Sequence, residues 1–246
     1  MKTLETICRI CGKKGNVTVD DISADIFTRN NSPFPWYCPE CEGKHRKEEA
    51  ERKAREAEQE RLEALEYGFE RAGLPKKYRV EVPPVPVLAE WMMKHSDKNQ
   101  FVNGQTGTGK STSAGFMVRK LIERGESVKY LQMSQLLDNW REARCGDSFS
   151  SASGMIENLE SADRLIIDEA SGDKTVISGS TKECMFRLLE DVYNGECKAK
   201  ITFLGNFYRG CIEDVFGNEA AARRRLSETF DCINISIEHK ITRIKL

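Results

Sequence analysis

Long apolar runs, a secretory leader and a surplus of one charge are all missing from this sequence. Without an apolar run of about 20 residues no membrane span is expected, and without an apolar N-terminal stretch no export is expected. Lys and Arg (38) balance Asp and Glu (39), so the net charge of −1 excludes a protein that coats nucleic acid by bulk charge alone. These absences predict a cytoplasmic protein whose 246 residues, 31% of them charged, form one large and one small domain.

A disulfide framework is also not expected, because the nine cysteines are an odd number and no export signal accompanies them. Four of them form two C-x₂-C pairs, Cys8 with Cys11 and Cys38 with Cys41, with 26 residues between the pairs. Two pairs supply the four thiolates of a tetrahedral zinc site, whereas a redox motif needs only one pair. We therefore predict that these four cysteines bind Zn²⁺. His45 is an alternative fourth ligand, although its basic neighbours favour a solvated side chain.

The segment around these pairs, residues 1–43, has few apolar side chains and is predicted to be a zinc-binding domain stabilised largely by its metal. Gly12 and Gly43 closely follow the two pairs, and both are expected in the tight turns of zinc knuckles. The remaining cysteines are isolated in the sequence and are expected to be small buried hydrophobic residues. They are Cys145, Cys184, Cys197, Cys211 and Cys232.

Residues 44–66 are almost entirely charged and rich in strong helix formers, with opposite charges four positions apart, as in Glu48 and Arg52. The pattern predicts a long exposed helix. A solvated spacer is one interpretation, and a helix that docks on a partner is the other. Glycine and prolines then end the helix, and the predicted division is 1–43 for the zinc-binding domain, 44–72 for the charged linker and 73–246 for the large domain.

The segment 104–111 reads GQTGTGKS and matches the pattern G-x-x-x-x-G-K-[ST] of phosphate-binding loops. Its glycines allow successive backbone N–H groups to surround a phosphate. Lys110 supplies a positive charge to the β- and γ-phosphates, and the Ser111 hydroxyl is a ligand suited to Mg²⁺. The motif predicts ATP binding by Gly104, Gln105, Thr106, Gly107, Thr108, Gly109, Lys110, Ser111 and Thr112.

A second acidic element is expected in a triphosphatase, and the segment 164–169, RLIIDE, supplies it 57 residues after Ser111. Asp168 would hold Mg²⁺ together with Ser111, while Glu169 would polarise the attacking water. Read alone, the same run could be a buried strand with solvated acids at its end. After a complete phosphate loop, the catalytic interpretation is favoured.

Strands and helices alternate from residue 87 onward, which predicts a parallel sheet covered by helices on both faces. The predicted strands are residues 100–102, 128–133, 165–167, 201–204 and 232–237. The predicted helices are residues 87–94, 113–124, 134–144 and 181–194. The Gly- and Ser-rich stretches 146–154 and 172–180 are expected to be loops.

With these motifs in place, residues 73–237 resemble the DnaC/IstB-type AAA+ ATPases, the helicase loaders and transposition helpers of bacteria and phages. The likeness rests on GLPKKYR at 73–79, on the phosphate loop preceded by Asn103, on the strand ending in two carboxylates, and on FLGN ending at Asn206. It covers about two-thirds of the chain. The resemblance implies an AAA+ P-loop core with a five-stranded parallel sheet that lacks a full lid domain, because the sequence ends soon after the fifth strand.

The resemblance also implies roles for individual residues. Asn206 would position the attacking water, and an arginine from the RRR run would reach the triphosphate held by a neighbouring subunit. Arg225 fits the motif's frame best, while Arg223 and Arg224 stay open as alternatives, and Arg243 is a candidate for the sensor-2 arginine. The implied catalytic set is Lys110, Asp168, Glu169, Asn206 and Arg225.

As a member of this group the protein would use ATP, Mg²⁺ and Zn²⁺, form homo-oligomers on binding ATP, and load a hexameric replicative DNA helicase onto single-stranded DNA. Strand contacts are expected within residues 171–182, including Lys174 and Lys182. Two alternatives stay open: an IstB-like ATPase that assists a transposase, and an adaptor in which nucleotide binding is only structural. The intact catalytic set disfavours the adaptor.

Overall fold

The computed structural model describes residues 1–21, 23, 25, 36–145, 149–170, 179–207, 215–217 and 219–244. The chain divides into two compact units, Met1–Glu63 and Ala64–Leu246. The boundary lies inside the long charged helix rather than after it, because the last turns of that helix are buried in the second unit. The three-part division inferred from the sequence stays a prediction.

The first unit begins with an antiparallel hairpin of β1 (Lys2–Ile7) and β2 (Lys14–Val19). Cys8 follows β1 and forms a backbone bridge with Trp36, which brings the two cysteine pairs together. Gly12 has φ +74°, as expected for a tight turn. The expectation for Gly43 was wrong: this residue lies inside the helix α1 (Pro39–Ala72), which starts directly after Cys38.

The predicted charged helix is confirmed as part of α1, which is longer at both ends and has 34 residues. Its middle is exposed and carries ion pairs between residues four apart, including Arg46–Glu42 at 2.6 Å and Lys53–Glu49 at 3.0 Å. Such exposed pairs stabilise a helix by only about 0.3–0.5 kcal/mol each. The end of α1 is different in character. It buries a stripe of apolar residues at helical spacing, which are Leu65, Phe69 and Ala72.

The second unit is built on a six-stranded sheet in which the first five strands in chain order are parallel, as predicted. The spatial order is β4-β5-β6-β3-β7-β8. The sixth strand was not predicted, because it is only three residues long and pairs antiparallel with β7 after a short turn. The strands are β3 (Asn99–Gly104), β4 (Val128–Gln132), β5 (Arg164–Asp168), β6 (Lys200–Gly205), β7 (Phe230–Ile235) and β8 (Ile241–Arg243).

The four helices predicted for this unit are present, and two more occur among the described residues. The segment 146–154, expected to be a loop, is helical from Phe149, because Ile156 and Leu159 further along the same helix are buried. The segment 172–180 lies outside the described residues up to residue 178. The helices are α2 (Pro86–Lys94), α3 (Lys110–Glu123), α4 (Met133–Cys145), α5 (Phe149–Glu160), α6 (Gly179–Asn194) and α7 (Glu219–Thr229).

Two apolar cores cover the two faces of the sheet. Neighbouring strand residues contribute to opposite cores: Phe101 packs with α4, α5, α6 and α7, while Val102 packs with α2, α3 and the end of α1. All five residues of β5 are buried. A parallel sheet buried on both faces explains why these strands appear in the sequence as continuous apolar runs rather than as alternating patterns.

Candidate nucleotide and metal sites

The phosphate-loop motif forms the connection between β3, which ends at Gly104, and α3, which begins at Lys110. Gly107 and Gly109 have φ of +85° and +79°, in the left-handed region that favours glycine. A Cβ atom on Gly104 would lie 2.7 Å from the carbonyl oxygen of Ile235, so no larger residue fits there. The loop therefore leads directly into the N-terminus of a 14-residue helix, where backbone N–H groups attract anions.

Lys110 is buried within this loop. Its Nζ donates hydrogen bonds to the carbonyl oxygens of Gly104 at 2.7 Å and Gln105 at 2.8 Å, and to Thr108 Oγ1 at 3.3 Å. Burial lowers the pKa of Lys110, while the nearby Asp168 carboxylate acts in the opposite direction. An ammonium group held in a partly dehydrated position has a strong electrostatic preference for an incoming phosphate.

The other predicted loop residues are also in place. Gln105, Thr106 and Gly107 form the exposed tip, and the Thr108 hydroxyl donates to the Gln105 carbonyl oxygen at 2.8 Å. At the start of α3, Ser111 is half-buried and the Thr112 hydroxyl donates to the Gly109 carbonyl oxygen at 2.9 Å.

The two carboxylates at the end of β5 have different environments. Asp168 is buried, and its Oδ1 accepts a hydrogen bond from the backbone N–H of Glu169 at 2.8 Å. Its Oδ2 accepts a hydrogen bond from the hydroxyl of Tyr130 on β4. Glu169 is exposed and has φ +56°, a left-handed conformation that costs about 1–2 kcal/mol for a residue with a side chain. The carboxylate of Glu169 is thus available to solvent beside a buried partner.

Asn206 follows β6, the strand that lies between the phosphate-loop strand β3 and the acidic strand β5. Its position is fixed through its neighbour: the backbone N–H of Phe207 donates to Asn103 Oδ1 at 2.7 Å. Asn103 Nδ2 in turn donates to Asn234 Oδ1 on β7 at 3.0 Å. Asn103 therefore connects the carboxyl ends of three adjacent strands at the edge of the sheet where the predicted site residues meet.

Two residues near the carboxylates were not identified from the sequence. Tyr130 lies in the middle of a strand, where a tyrosine is ordinarily a packing residue. Lys77 lies in the short 3-10 turn Lys76–Tyr78, and its pKa is raised by hydrogen bonding to Tyr78 and by the charges of Glu169 and Asp168. Tyr130 belongs to no recognisable motif, and Lys77 belongs to the segment GLPKKYR, which carries the resemblance but assigns this lysine no role, so only the folded chain brings both residues to the site.

Arg225 is the residue predicted to act as an arginine finger, which reaches the triphosphate held by a neighbouring subunit. Here its side chain contacts residues of its own chain. Its Nη2 donates to Glu190 Oε1 on α6 at 2.9 Å, and its guanidinium lies 4.5 Å from the ring centroid of Phe186 and 5.7 Å from that of Tyr193. A trans-acting role would require Arg225 to leave Glu190. The role therefore stays a proposal.

The other three candidate arginines differ from Arg225 in their exposure or in the element that carries them. Arg224 is exposed, pairs with Glu228 at 3.0 Å and donates to the Tyr193 hydroxyl at 3.1 Å. Arg223 is half-buried on the same helix, α7. Arg243 lies on the edge strand β8 opposite Ile233, two strands away from the phosphate-loop strand, and this position does not support a sensor-2 role.

We expect Arg225→Ala to bind ATP like the wild type and to hydrolyse it about 10³-fold more slowly if Arg225 acts as a finger. The variant should also lose about 1 kcal/mol of stability, because a half-exposed ion pair and a cation–π contact disappear. Steady-state ATPase assays and thermal melts measure both effects. Arg224→Ala is the matched control from the same helix. If Arg224→Ala loses hydrolysis while Arg225→Ala keeps it, the finger assignment passes to Arg224.

The four predicted zinc ligands are together in the first unit. The Sγ atoms of Cys8, Cys11, Cys38 and Cys41 all lie within 4.8 Å of one another. Cys11 Sγ and Cys38 Sγ are 3.7 Å apart, close to the separation of about 3.8 Å between thiolates around one tetrahedral Zn²⁺. The Gly12 N–H donates to the Cys8 carbonyl oxygen at 3.0 Å, which closes the turn of the first pair.

The donor set also fits the chemistry of a zinc ligand. Backbone N–H groups of Cys11 and Cys38 lower the pKa of the Cys8 thiol, which favours the thiolate that binds metal, while hydrogen bonding with Cys38 raises the pKa of Cys41. His45 does not belong to this cluster, and its ring stacks on Tyr37 with 4.3 Å between centroids. The cluster of four thiols fits a zinc module.

Of the residues expected to contact DNA, Lys182 lies half-buried on α6, whereas Lys174 lies outside the described residues. Among the isolated cysteines, Cys184 and Cys232 are buried as expected, and Cys197 is half-buried. Cys211 lies outside the described residues. No helix in the described part of the chain has the length and apolar character needed to cross a membrane.

No protein-family model matches the sequence. The insertion sequence ATP-binding protein y4uH of Sinorhizobium fredii is 27% identical over 119 residues, which are 48% of this chain and 45% of that protein. The match thus spans about half the length of the curated relative.

Among solved structures, DnaA from Aquifex aeolicus bound to AMPPCP has a TM-score of 0.50 at 18% identity, over 66% of this chain and 51% of that chain. The DnaC helicase loader has a TM-score of 0.45 at 13% identity, over 61% of this chain and 85% of that chain. Identities this low describe the fold alone. The second unit shares with DnaA a mixed α/β fold with a mostly parallel sheet, and the first unit carries a cysteine cluster suited to zinc.

Proposed function

We propose that this protein is a Mg²⁺-dependent ATPase. The main support is the position of two buried side chains of opposite charge. Lys110 and Asp168 lie near each other at the carboxyl edge of one parallel sheet. The phosphate loop and the N-terminus of α3 lie at the same edge. Open α/β sheets bind their ligands in the crevice at this edge, near the point where the strand order reverses.

Each residue has a definite task in the proposed reaction. Lys110 exchanges its hydrogen bonds to loop carbonyls for bonds to the β- and γ-phosphate oxygens. Ser111 and Asp168 would hold Mg²⁺, whose charge offsets the negative charge of the phosphates. Glu169, exposed next to Asp168, accepts a proton from the water that attacks the γ-phosphate, and Asn206 orients that water. The bond from the γ-phosphorus to the bridging oxygen breaks, and ADP leaves with phosphate.

We propose that this ATPase forms a homo-oligomer with ATP and loads a hexameric replicative helicase onto single-stranded DNA. The two-unit organisation supports it. A small unit with a zinc-type cysteine cluster is joined through an exposed charged helix to the ATPase-type unit, so partner binding and nucleotide chemistry can lie on separate parts of the chain. A path lined by Lys182 and neighbouring groups would bind phosphates without reading bases.

A second candidate is a transposition helper that acts with a transposase. The observation in its favour is the sequence similarity to an insertion sequence ATP-binding protein, 27% over 119 residues. The two candidates share the same ATPase chemistry and differ in their protein partner. A purely structural nucleotide-binding adaptor is disfavoured, because such a protein has no use for Glu169 held in a left-handed conformation beside Asp168.

The deciding experiment compares the full chain with a variant that lacks residues 1–63. The cut must precede Leu65, because Leu65, Phe69 and Ala72 are part of the core of the second unit. We expect single-stranded DNA to stimulate ATP hydrolysis by both proteins, and only the full chain to load a replicative helicase of the native host onto a closed single-stranded circle.

Glu169→Gln is the control for chemistry, since it should bind ATP and turn over slowly. If the truncated protein still loads helicase, the first unit is not the docking element. If duplex DNA and a transposase stimulate hydrolysis far better than single strands do, the transposition helper is the correct function. If the full chain does not hydrolyse ATP at all, the ATPase proposal is wrong.

A further inference from the structure

Tyr130 is a polar side chain in an apolar environment. It lies on β4, is 1% exposed, and belongs to the core that includes Val102, Ile166 and Leu204. A buried hydroxyl without a partner costs free energy, so its hydrogen bond has to be made inside the protein. The partner is Asp168 Oδ2, on the adjacent strand β5.

The Tyr130 hydroxyl also has a second neighbour. The side chain of Ser111, at the start of α3, interacts with this phenol and acts against the rise in its pKa that burial causes. Ser111 and Asp168 are the two residues proposed to hold Mg²⁺, and they come from different elements of the fold. One phenol therefore bonds to Asp168 on the acidic strand and interacts with Ser111 on the helix that follows the phosphate loop.

The hydrogen bonds around Asp168 fix the plane of its carboxylate. Oδ1 is held by the Glu169 N–H at 2.8 Å and Oδ2 by the Tyr130 hydroxyl. Each oxygen keeps a second lone pair for a cation or for a water bound to it. Without the phenol, Oδ2 loses its hydrogen bond from β4 and the carboxylate can rotate out of this arrangement. Residues that orient metal ligands in this way typically contribute 10- to 100-fold to metal affinity.

We propose that Tyr130 is a positioning residue that holds Asp168 in the arrangement that receives Mg²⁺ together with Ser111. The inference rests on the proposed ATPase function and assigns to Tyr130 a task within that site. The alternative is that Tyr130 only fills the core, with its hydroxyl bonded wherever an acceptor lies. The two differ in one respect: a core residue affects stability, whereas a positioning residue affects the gain in nucleotide affinity that Mg²⁺ produces.

The test measures binding rather than turnover. The dissociation constant of a fluorescent, non-hydrolysable ATP analogue is determined for the full chain in EDTA and in Mg²⁺, and the ratio of the two constants is the Mg²⁺ enhancement. Tyr130→Phe removes the hydroxyl and keeps the ring. We expect it to bind the analogue in EDTA as the wild type does, and to show an enhancement reduced by about 10-fold.

Tyr67→Phe is the matched control, because Tyr67 is exposed on α1 and the change removes the same group. It should keep the wild-type enhancement. A double-mutant cycle with Asp168→Asn gives a second measurement: on that background Tyr130→Phe should have little further effect, since the two residues act through one hydrogen bond.

The outcomes separate the two proposals. An unchanged Mg²⁺ enhancement in a folded Tyr130→Phe protein, or effects of Tyr130→Phe and Asp168→Asn that simply add, would overturn the role of Tyr130 and leave the ATPase proposal intact. A wild-type protein that does not bind the analogue, or that binds it equally with and without Mg²⁺, would instead contradict the ATPase proposal. Binding of Mn²⁺ followed by electron paramagnetic resonance should show the same loss in Tyr130→Phe.

Discussion

Lys110→Ala should lower the affinity for ATP by at least about 100-fold, the largest loss of nucleotide affinity expected of any single substitution in the second unit. Two charge-assisted hydrogen bonds to phosphate oxygens contribute about 1.5–3 kcal/mol each, and the substitution removes both. It also leaves the carbonyl oxygens of Gly104 and Gln105 without the ammonium group that they now contact. Among the described residues, Lys77 is a nearby cation, and its charge interacts with the carboxylates Glu169 and Asp168.

Isothermal titration calorimetry with ATP and Mg²⁺ measures this loss directly. Lys120→Ala is the matched control, since Lys120 lies on the same helix, is partly exposed, and pairs only with Glu123 among the described ion pairs, at 2.7 Å. It should bind ATP like the wild type. A Lys110→Ala protein that melts like the wild type and binds ATP with unchanged affinity would show that the loop is not the phosphate site.

Removal of zinc should unfold the first unit while the second unit stays folded. Among the described residues of Met1–Glu63, the buried apolar side chains are Cys8, Val19 and Cys38, and two of these are proposed metal ligands. So small a core cannot offset the conformational entropy of the segment. Structural zinc sites contribute an apparent free energy of about 10–16 kcal/mol, which is large enough to do so.

Metal analysis of the purified protein should find one zinc per chain, and a strong chelator should release it. Hydrogen exchange should then lose protection in β1 and β2 and keep it in the strands of the second unit. Cys38→Ser should reproduce the effect, whereas Ile10→Ala, an exposed residue between the first two ligands, should not. Substantially less than one zinc per chain, or full protection of β1 and β2 after chelation, would contradict the zinc centre.

Local patterns in the sequence were sufficient to identify the parts of the protein whose chemistry depends on residues that are close together in the chain. The phosphate loop, the apolar strand ending in Asp168 and the two cysteine pairs were all identified from short spacings, because their function requires particular residue types close together in the chain. The five parallel strands were predicted as well. Their burial on both faces produces continuous apolar runs that stand out from the charged remainder of the sequence.

Features that depend on contacts between distant residues were decided only by the tertiary structure. Tyr130 meets Asp168 across 38 positions and Arg225 meets Glu190 across 35, and neither pairing has a pattern in the sequence. The end of α1 was predicted as part of a solvated linker, since charged residues surround it. It belongs to the core because Leu65 and Phe69 lie in the same apolar cluster as residues of α2 and α3. The sequence determines which chemical groups are present and how they are spaced along the chain. The packing of the sheet against its helices determines which of these groups meet, and it is this packing that pairs Arg225 with Glu190.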